Sequence, residues 1–350
     1  MEISTPGRIC LFGEHQDYLG LPVIAMAISL RTKIRGHQRS DRKVIIHKKD
    51  LKETESFSLS DLDYKRPRDY FKSGIKVCLE EGLVFSNGFE CEIISDIPIQ
   101  AGTSSSSAIV VSWIHFLSLM SENKVDWSLE KLGELAFKAE VLEFREPGGM
   151  MDQYSTSLGN LVYIESDPEL SIKQLKPTLG NFILGDSGES KNTMNILKRC
   201  RDMRENIFRK LKQTNKNFNL HSCNKDLNLS LLNIDEKKLF FGTIENRDIL
   251  RKAKVELEKE KPNNALLGTL LNQQHHILKD TLNISTTKIE SMLLAALDAG
   301  ALGGKINGSG GGGCMFVYSP ENQEPVARAI ESVGGRAYII HSDTGTKVLT

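Results

Sequence analysis

Short runs of β-branched and apolar residues bounded by polar ones occupy Val23 to Arg35 and Lys43 to His47, and predict strands of an early sheet. Asp69 to Glu81 places Tyr70, Ile75, Val77, Cys78 and Leu79 broadly on one face and predicts a helix. Phe89 to Ile94 reads as a strand that ends at Asp96-Ile97-Pro98, where proline stops regular structure. A polar, small-residue loop then leads into the apolar run Ala108 to Met120, interrupted by Ser112, His115 and Ser118 and too short to cross a bilayer. Ser128 to Phe144 has Leu129, Leu132, Leu135, Ala136 and Ala139 at helical spacing, with Ser128 as its cap and Glu140 and Glu143 near its end.

Leu161 to Ile164 and Phe182 to Leu184 read as strands on either side of a polar, proline-containing connection. A domain boundary near residue 175 follows, giving domains 1–175 and 176–350. The second half is richer in helix, with apolar periodicity over Thr193 to Lys212, Lys238 to Leu257, Ala265 to Leu282 and Thr287 to Leu297. Asn- and Lys-rich sequence from Gln213 to Asn228 reads as a mobile surface loop. The chain closes with a glycine-rich turn, a strand at Cys314 to Tyr318, a helix near Pro325 to Val333 and a strand at Ala337 to His341. Neither an internal repeat nor a heptad array is present.

A length of 350 residues suits two such domains, each burying its own core. Lys+Arg and Asp+Glu both total 45, so no global field favours nucleic acid, and a small-molecule ligand fits better. The start MEISTPGRIC lacks the basic and apolar stretches of a secretory signal. The six cysteines form no Cys-x-x-Cys pair, which argues against a zinc site or a disulfide framework. A cytoplasmic protein with reduced thiols and no membrane partner is the expectation.

Four segments carry candidate chemistry. Pro98 to Ala108 holds Gly102, Thr103 and the run Ser104-Ser105-Ser106-Ser107 between a strand and an apolar helix. Small residues let backbone N–H groups approach phosphate oxygens, and the helix start supplies free donors. No Gly-Lys-Ser/Thr occurs, so a Walker loop is excluded. Lys305 to Cys314 is the glycine-rich turn before a buried strand, where the backbone passes close either to a ligand or to another element. Pro6 to Gly20 gathers Arg8, Glu14, His15 and Asp17 on one short loop, groups able to hydrogen-bond sugar hydroxyls, although a solvated turn has the same composition. Ala139-Glu140 and Pro147 to Tyr154 place Asp152 in a nearly uncharged stretch after Gly148-Gly149, aimed at a site or, equally by composition, at solvent.

Together, in order and spacing over nearly the whole chain, these segments resemble the GHMP kinases, the family of galactokinase, homoserine kinase, mevalonate kinase and phosphomevalonate kinase. Gly7-Arg8 through Gly13-Glu14-His15 and Asp17-Tyr18 is similar to the galactokinase sugar motif, and Gly149-Met150-Met151-Asp152-Gln153 to that branch's Gly-Ile-Met-Asp-Gln segment. Leu267 to Leu278, with His275, also resembles a galactokinase segment. Cys10, Gln16 and Leu19 depart from the usual asparagine, threonine and asparagine. Asp186-Ser187-Gly188 with Lys191-Asn192-Thr193 looks more like a mevalonate kinase segment.

The resemblance implies an α/β (α+β) fold of two domains, the first like domain 2 of ribosomal protein S5 and the second ferredoxin-like, with the site between them. It implies Asp152 as catalytic base paired with Arg8, and a sugar held by Glu14, His15, Asp17 and Gly149. ATP would lie on Gly102, Thr103, Ser104, Ser105, Ser106 and Ser107, with Mg²⁺ on Ser106 and Glu140. Lys191, Thr193, Gly310 and Gly311 are secondary candidates. The activity implied is ATP-dependent phosphorylation of a monosaccharide, at the C1 hydroxyl of galactose or a related sugar. A heptose, arabinose, a uronic acid or mevalonate are alternative acceptors, and a non-catalytic regulator that binds ATP and sugar is the alternative class.

Overall fold

The computed structural model describes residues 1–99, 101–146, 148–190, 193–224 and 226–349. In chain order its elements are β1 (Glu2–Phe12), β2 (Val23–Gln38), β3 (Lys43–Lys48), β4 (Glu53–Ser58), α1 (Tyr70–Glu80), β5 (Phe89–Ser95), α2 (Ser105–Met120), α3 (Leu129–Phe137), α4 (Met151–Leu158), β6 (Leu161–Glu165) and β7 (Ser171–Leu175). They continue with β8 (Phe182–Asp186), α5 (Thr193–Thr214), α6 (Ile234–Leu257), α7 (Asn264–Asp280), α8 (Thr287–Asp298), β9 (Gly303–Ile306), β10 (Cys314–Tyr318), α9 (Gln323–Ser332), β11 (Arg336–Ile340) and β12 (Lys347–Val348).

β1 corrects the reading of residues 6–20 as one loop: Arg8 stands on a strand, and only the residues after Phe12 form the turn. The strand is buried from Ile3 onward on both faces, so it lacks the alternation that marks a half-exposed strand, and Pro6-Gly7 masks it further. It pairs antiparallel with β2, Ile3 opposite Ile34 and Ile9 opposite Met26.

The first sheet runs β12-β1-β2-β5-β3-β4, with β6 joined to β2 and β7 to β6. β3 and β5 are parallel, and the other pairs are antiparallel. The second sheet runs β11-β8-β10-β9 and is antiparallel. Counted along the chain this is the order 4-1-3-2, the ferredoxin-like arrangement, with α8 and α9 packed on one face. The sheets change between Leu175 and Phe182, but β12 returns the chain to the first.

α2 is apolar nearly all round because it is buried nearly all round, with Trp113 stacked on Phe116 and edge-on to Phe71 and Phe89. The polar residues within it are satisfied locally: Ser112 Oγ donates to Thr5 Oγ1 (2.7 Å) and Ser118 Oγ to His115 O (2.8 Å). A shared core then locks the halves together, bringing Ile9, Leu11 and Met26 against Phe182, Phe316 and Tyr318 with Leu250 and Leu270 of the helices. The cleft between the sheets is therefore set by packing on both sides.

Two further readings change. The helix expected to run to Phe144 leaves α-geometry at Phe137 and passes through a wide π-type turn, Lys138–Leu142, which turns Glu140 inward. The segment 213–228, apart from Lys225, is anchored instead of loose: Leu220 and Cys223 are buried, and Arg247 Nη1 donates to both of their carbonyls at 2.8 Å. Its polarity serves turns such as Asn219 Oδ1 accepting from His221 N (2.8 Å). Among the described residues no helix is long and apolar enough to cross a membrane, and all six cysteines are buried.

Candidate active site

A bulge places the first functional side chain. The β1 register shifts between Pro6 and Arg8, where proline offers no N–H to the ladder, and the freed Arg8 N–H donates to Thr103 O (3.1 Å). Gly7 permits this approach, because a Cβ there would lie 2.8 Å from Thr103 O. The Arg8 guanidinium then donates from Nε (2.9 Å) and Nη2 (2.7 Å) to Asp152 Oδ1 and from Nη1 (2.5 Å) to Gly102 O. Asp152 sits in the first turn of α4, not on a loop. Burial alone would lower the Arg8 pKa, but Asp152 and Glu14 outweigh it and raise the value, so Arg8 stays charged.

The serine run forms the neighbouring wall. Ser104 takes a left-handed conformation (φ 60°) and α2 begins at Ser105, so the first N–H groups of the helix have no intrahelical partner. The glycine-rich turn presses on this loop from behind. A Cβ on Gly308 would lie 2.8 Å from Gly102 O, and one on Gly313 would lie 2.7 Å from Ala101 O. Asn307 Nδ2 donates to Gly102 O (2.8 Å) while its Oδ1 accepts from Cys10 N (2.9 Å), joining the loop, β1 and the turn. Gly310 and Gly311 pack on Ile284 and do not line the cavity. Thr103 is likewise turned inward, its hydroxyl donating to Pro98 O at 3.4 Å.

The turn after β1 supplies the other wall. Glu14 is buried against Lys305, with Nζ donating to Oε2 at 2.8 Å and to Ile306 O at 3.0 Å. His15 lies between Tyr18 Oη (2.7 Å from Nδ1) and Ser309 O (3.0 Å from Nε2). Asp17 abuts Gly149, where an added Cβ would sit 2.1 Å from Oδ2. Burial and the nearby Asp152 charge push the Asp17 pKa up to about 6.

Glu140 closes the floor. Its Oε2 accepts from Gln153 Nε2 (2.6 Å). Burial raises its pKa against the opposing hydrogen bonds of Gln153, Ser106 and Ser107. Gln153 Oε1 and Ser104 Oγ are buried there without a partner.

These groups share one cavity of about 870 Å³, which also takes in Gly149, Thr193 and the Arg68–Glu146 ion pair at its far end. Of the residues expected from sequence, Arg8, Glu14, His15, Asp17, Gly102, Ser104, Ser105, Ser106, Ser107, Glu140, Gly149, Asp152 and Thr193 line it. Lys191 lies outside the described residues. Sequence reasoning did not single out Tyr18, Gln153, Lys305 or Asn307 as parts of the site. All four stood inside the motifs themselves, Tyr18 beside Asp17, Gln153 beside Asp152, and Lys305 and Asn307 at the start of the glycine-rich turn.

A helix start with free N–H groups thus faces an Arg-held carboxylate across one cavity, at the junction of the two sheets. The chain matches the models "GHMP kinases N terminal domain" over residues 69–160 and "GHMP kinases C terminal" over residues 253–338. It belongs to the GHMP kinase family, and residues 2–35 match the model "Galactokinase galactose-binding signature". It is 31% identical to mevalonate kinase of Pyrococcus furiosus, covering 99% of this chain and 97% of that one. It is 29% identical to galactokinase of Clostridium perfringens, covering 94% and 88%. The fold superposes on Lactococcus lactis galactokinase complexed with galactose with a TM-score of 0.83, at 21% identity over 99% of this chain and 95% of the other.

Proposed function

We propose that this kinase transfers the γ-phosphoryl group of ATP to a monosaccharide hydroxyl, the C1 hydroxyl of galactose or a closely related sugar. The observation that carries the reading is the charge state of the acceptor wall. Among the described residues, the two arginines lining the cavity are already engaged, Arg8 with Asp152 and Arg68 with Glu146, and Lys305 behind the wall is held by Glu14. What faces the acceptor is carboxylate, which suits neutral hydroxyls that donate hydrogen bonds. The galactose-binding signature over residues 2–35 supports the same choice. Mevalonate is the second reading, favoured by 31% identity to a mevalonate kinase over nearly the full chain. Its carboxylate would meet Glu14 and Asp17 without a free cation among the described residues.

In this reading Asp152 accepts the acceptor's hydroxyl proton as the oxygen attacks the γ-phosphorus, while Arg8 orients Asp152 and faces the growing negative charge. The N–H groups at the start of α2 bind the phosphates. Glu140 and Ser106 fit Mg²⁺, since a single carboxylate beside hydroxyl oxygens leaves the remaining positions for phosphate and water. The ion supplies neutralisation of phosphate charge when bound.

The test is an ATP-consumption screen of the full chain against monosaccharides and mevalonate, with the phosphorylated position read by phosphorus NMR. Turnover of a sugar at its anomeric hydroxyl is expected. Turnover of mevalonate alone would overturn the sugar reading.

A further inference from the structure

The acceptor turn carries a chain of contacts that neither the serine loop nor the Arg8–Asp152 pair requires. His15 Nε2 lies 3.0 Å from Ser309 O. A carbonyl oxygen only accepts, so Nε2 carries a hydrogen and donates it. Nδ1 lies 2.7 Å from Tyr18 Oη, and that oxygen accepts a hydrogen from Arg204 Nη2 of α5. Arg204 is 1% exposed, donates from Nε to Cys200 O (2.8 Å), and sits with its guanidinium carbon 5.3 Å from the Tyr18 ring centre. No carboxylate among the described residues pairs with it, so its charge is directed at the phenol. Tyr18 Oη already accepts from Arg204, and its own hydroxyl hydrogen is the donor it has for Nδ1, which makes Nδ1 the acceptor of the pair. Burial holds the Tyr18 phenol protonated, so that hydrogen is there to donate.

Both ring nitrogens of His15 are therefore engaged by the protein itself. The imidazole has neither hydrogen nor lone pair left for an acceptor molecule, and its role changes from ligand to brace. It spans from the turn after β1 to the glycine-rich turn, and Arg204 ties that brace to α5. Asp17 is held at the cavity beside it.

We propose that Tyr18 and Arg204 are positioning residues of the acceptor site: they fix His15 as its Nε2–H tautomer, bridging the acceptor turn to Ser309 so that Asp17 meets the acceptor. This rests on the reading of the turn as the acceptor wall, whichever acceptor it takes. No residue of the chain is consumed or charged in the process; the device sets geometry.

The full chain is tested as Tyr18→Phe, Arg204→Met, the double variant and the conservative Arg204→Lys. Each single change is expected to raise the acceptor KM about tenfold, the loss of one buried hydrogen bond near a charge, while the ATP KM stays put. The double variant should be no worse than the poorer single one, because both cut the same chain, and Arg204→Lys should recover part of the loss. Equal rises in both KM values, or additive effects, overturn the proposal. An acceptor-free readout runs beside it: long-range proton–nitrogen spectra of the imidazoles, with His15 assigned by difference against His15→Asn. Wild type should show Nε2–H at His15 and Tyr18→Phe a mixture of tautomers, whereas Nδ1–H in wild type overturns the assignment. If mevalonate proves to be the substrate, the sugar reading fails, and the same KM comparison is made with mevalonate.

Discussion

Both guanidinium contacts from Arg8 to Asp152 converge on one carboxylate oxygen, Oδ1, at 2.9 and 2.7 Å. Oδ2 stands outside the pair, on a side chain that remains 31% exposed to the cavity. One oxygen is thus used to fix the carboxylate and the other is available to an incoming hydroxyl. Asp152→Asn keeps the shape and removes the proposed base. Turnover should fall about 10²- to 10⁴-fold while ATP affinity, read by calorimetry, stays within about twofold.

Asp17 gives the reaction a pH limb. Its pKa is raised from 3.8 to about 6, first by burial and then by the charge on Asp152. In the proposed reaction the ionised form accepts hydrogen bonds from acceptor hydroxyls, so kcat/KM should fall about tenfold per pH unit below about 6. Asp17→Asn should lower kcat/KM above about pH 6 and abolish that limb, as pH profiles of the two proteins would reveal.

The same shift fixes the sign of a stability effect. A carboxyl whose folded-state pKa lies above its unfolded value stabilises the fold fully below the unfolded value of 3.8, and that contribution is lost as pH rises through about 6. Asp17→Asn should therefore raise Tm at pH 8, and the difference from wild type should shrink toward pH 4. Thermal melts at the two pH values check this.

Gly149 is required by contact, with an added Cβ falling 2.1 Å from Asp17 Oδ2. Gly149→Ala should push the Asp17 carboxylate off its position and lower kcat/KM about 100-fold, the scale of an ångström-level misplacement. Because the clash is with one side chain at the cavity, circular dichroism and Tm should stay close to wild type.

Lys305 and Glu14 are both almost fully buried, 0% and 3% exposed. Removing one partner strands the other charge, so Lys305→Met should cost about 3–5 kcal/mol in chemical denaturation. The paired change Lys305→Met with Glu14→Leu should regain much of that stability and none of the activity, separating the fold's need for a matched pair from the site's need for Glu14.

How far the chain could be read in advance depended on the range of the interaction concerned. The helices at Thr193, Ala265 and Thr287 were legible because apolar spacing and nearby caps such as Thr286, which accepts from Ile289 N, are local. The serine loop was legible for the same reason, since Pro98 ends one element and the apolar run begins the next. β1 was not, because burial on both faces erases alternation. Nor was the break in the helix at Phe137, where the gain comes from turning Glu140 toward Gln153 and the serines instead of from any local preference.

The amino-acid order by itself determined which chemistry was present: a serine run ahead of an apolar helix, an acid after paired glycines, and a polar motif near the start. Those are short-range facts, fixed by small residues, caps and breakers within a few positions. Which of these groups meet was decided only by the tertiary structure. The pairs Arg8–Asp152, Glu14–Lys305, Tyr18–Arg204 and Gly102–Asn307 all join distant parts of the chain. Each depends on sheet register, a bulge and a shared core, whose free energies are summed over the whole molecule and leave no local trace in the residues they bring together.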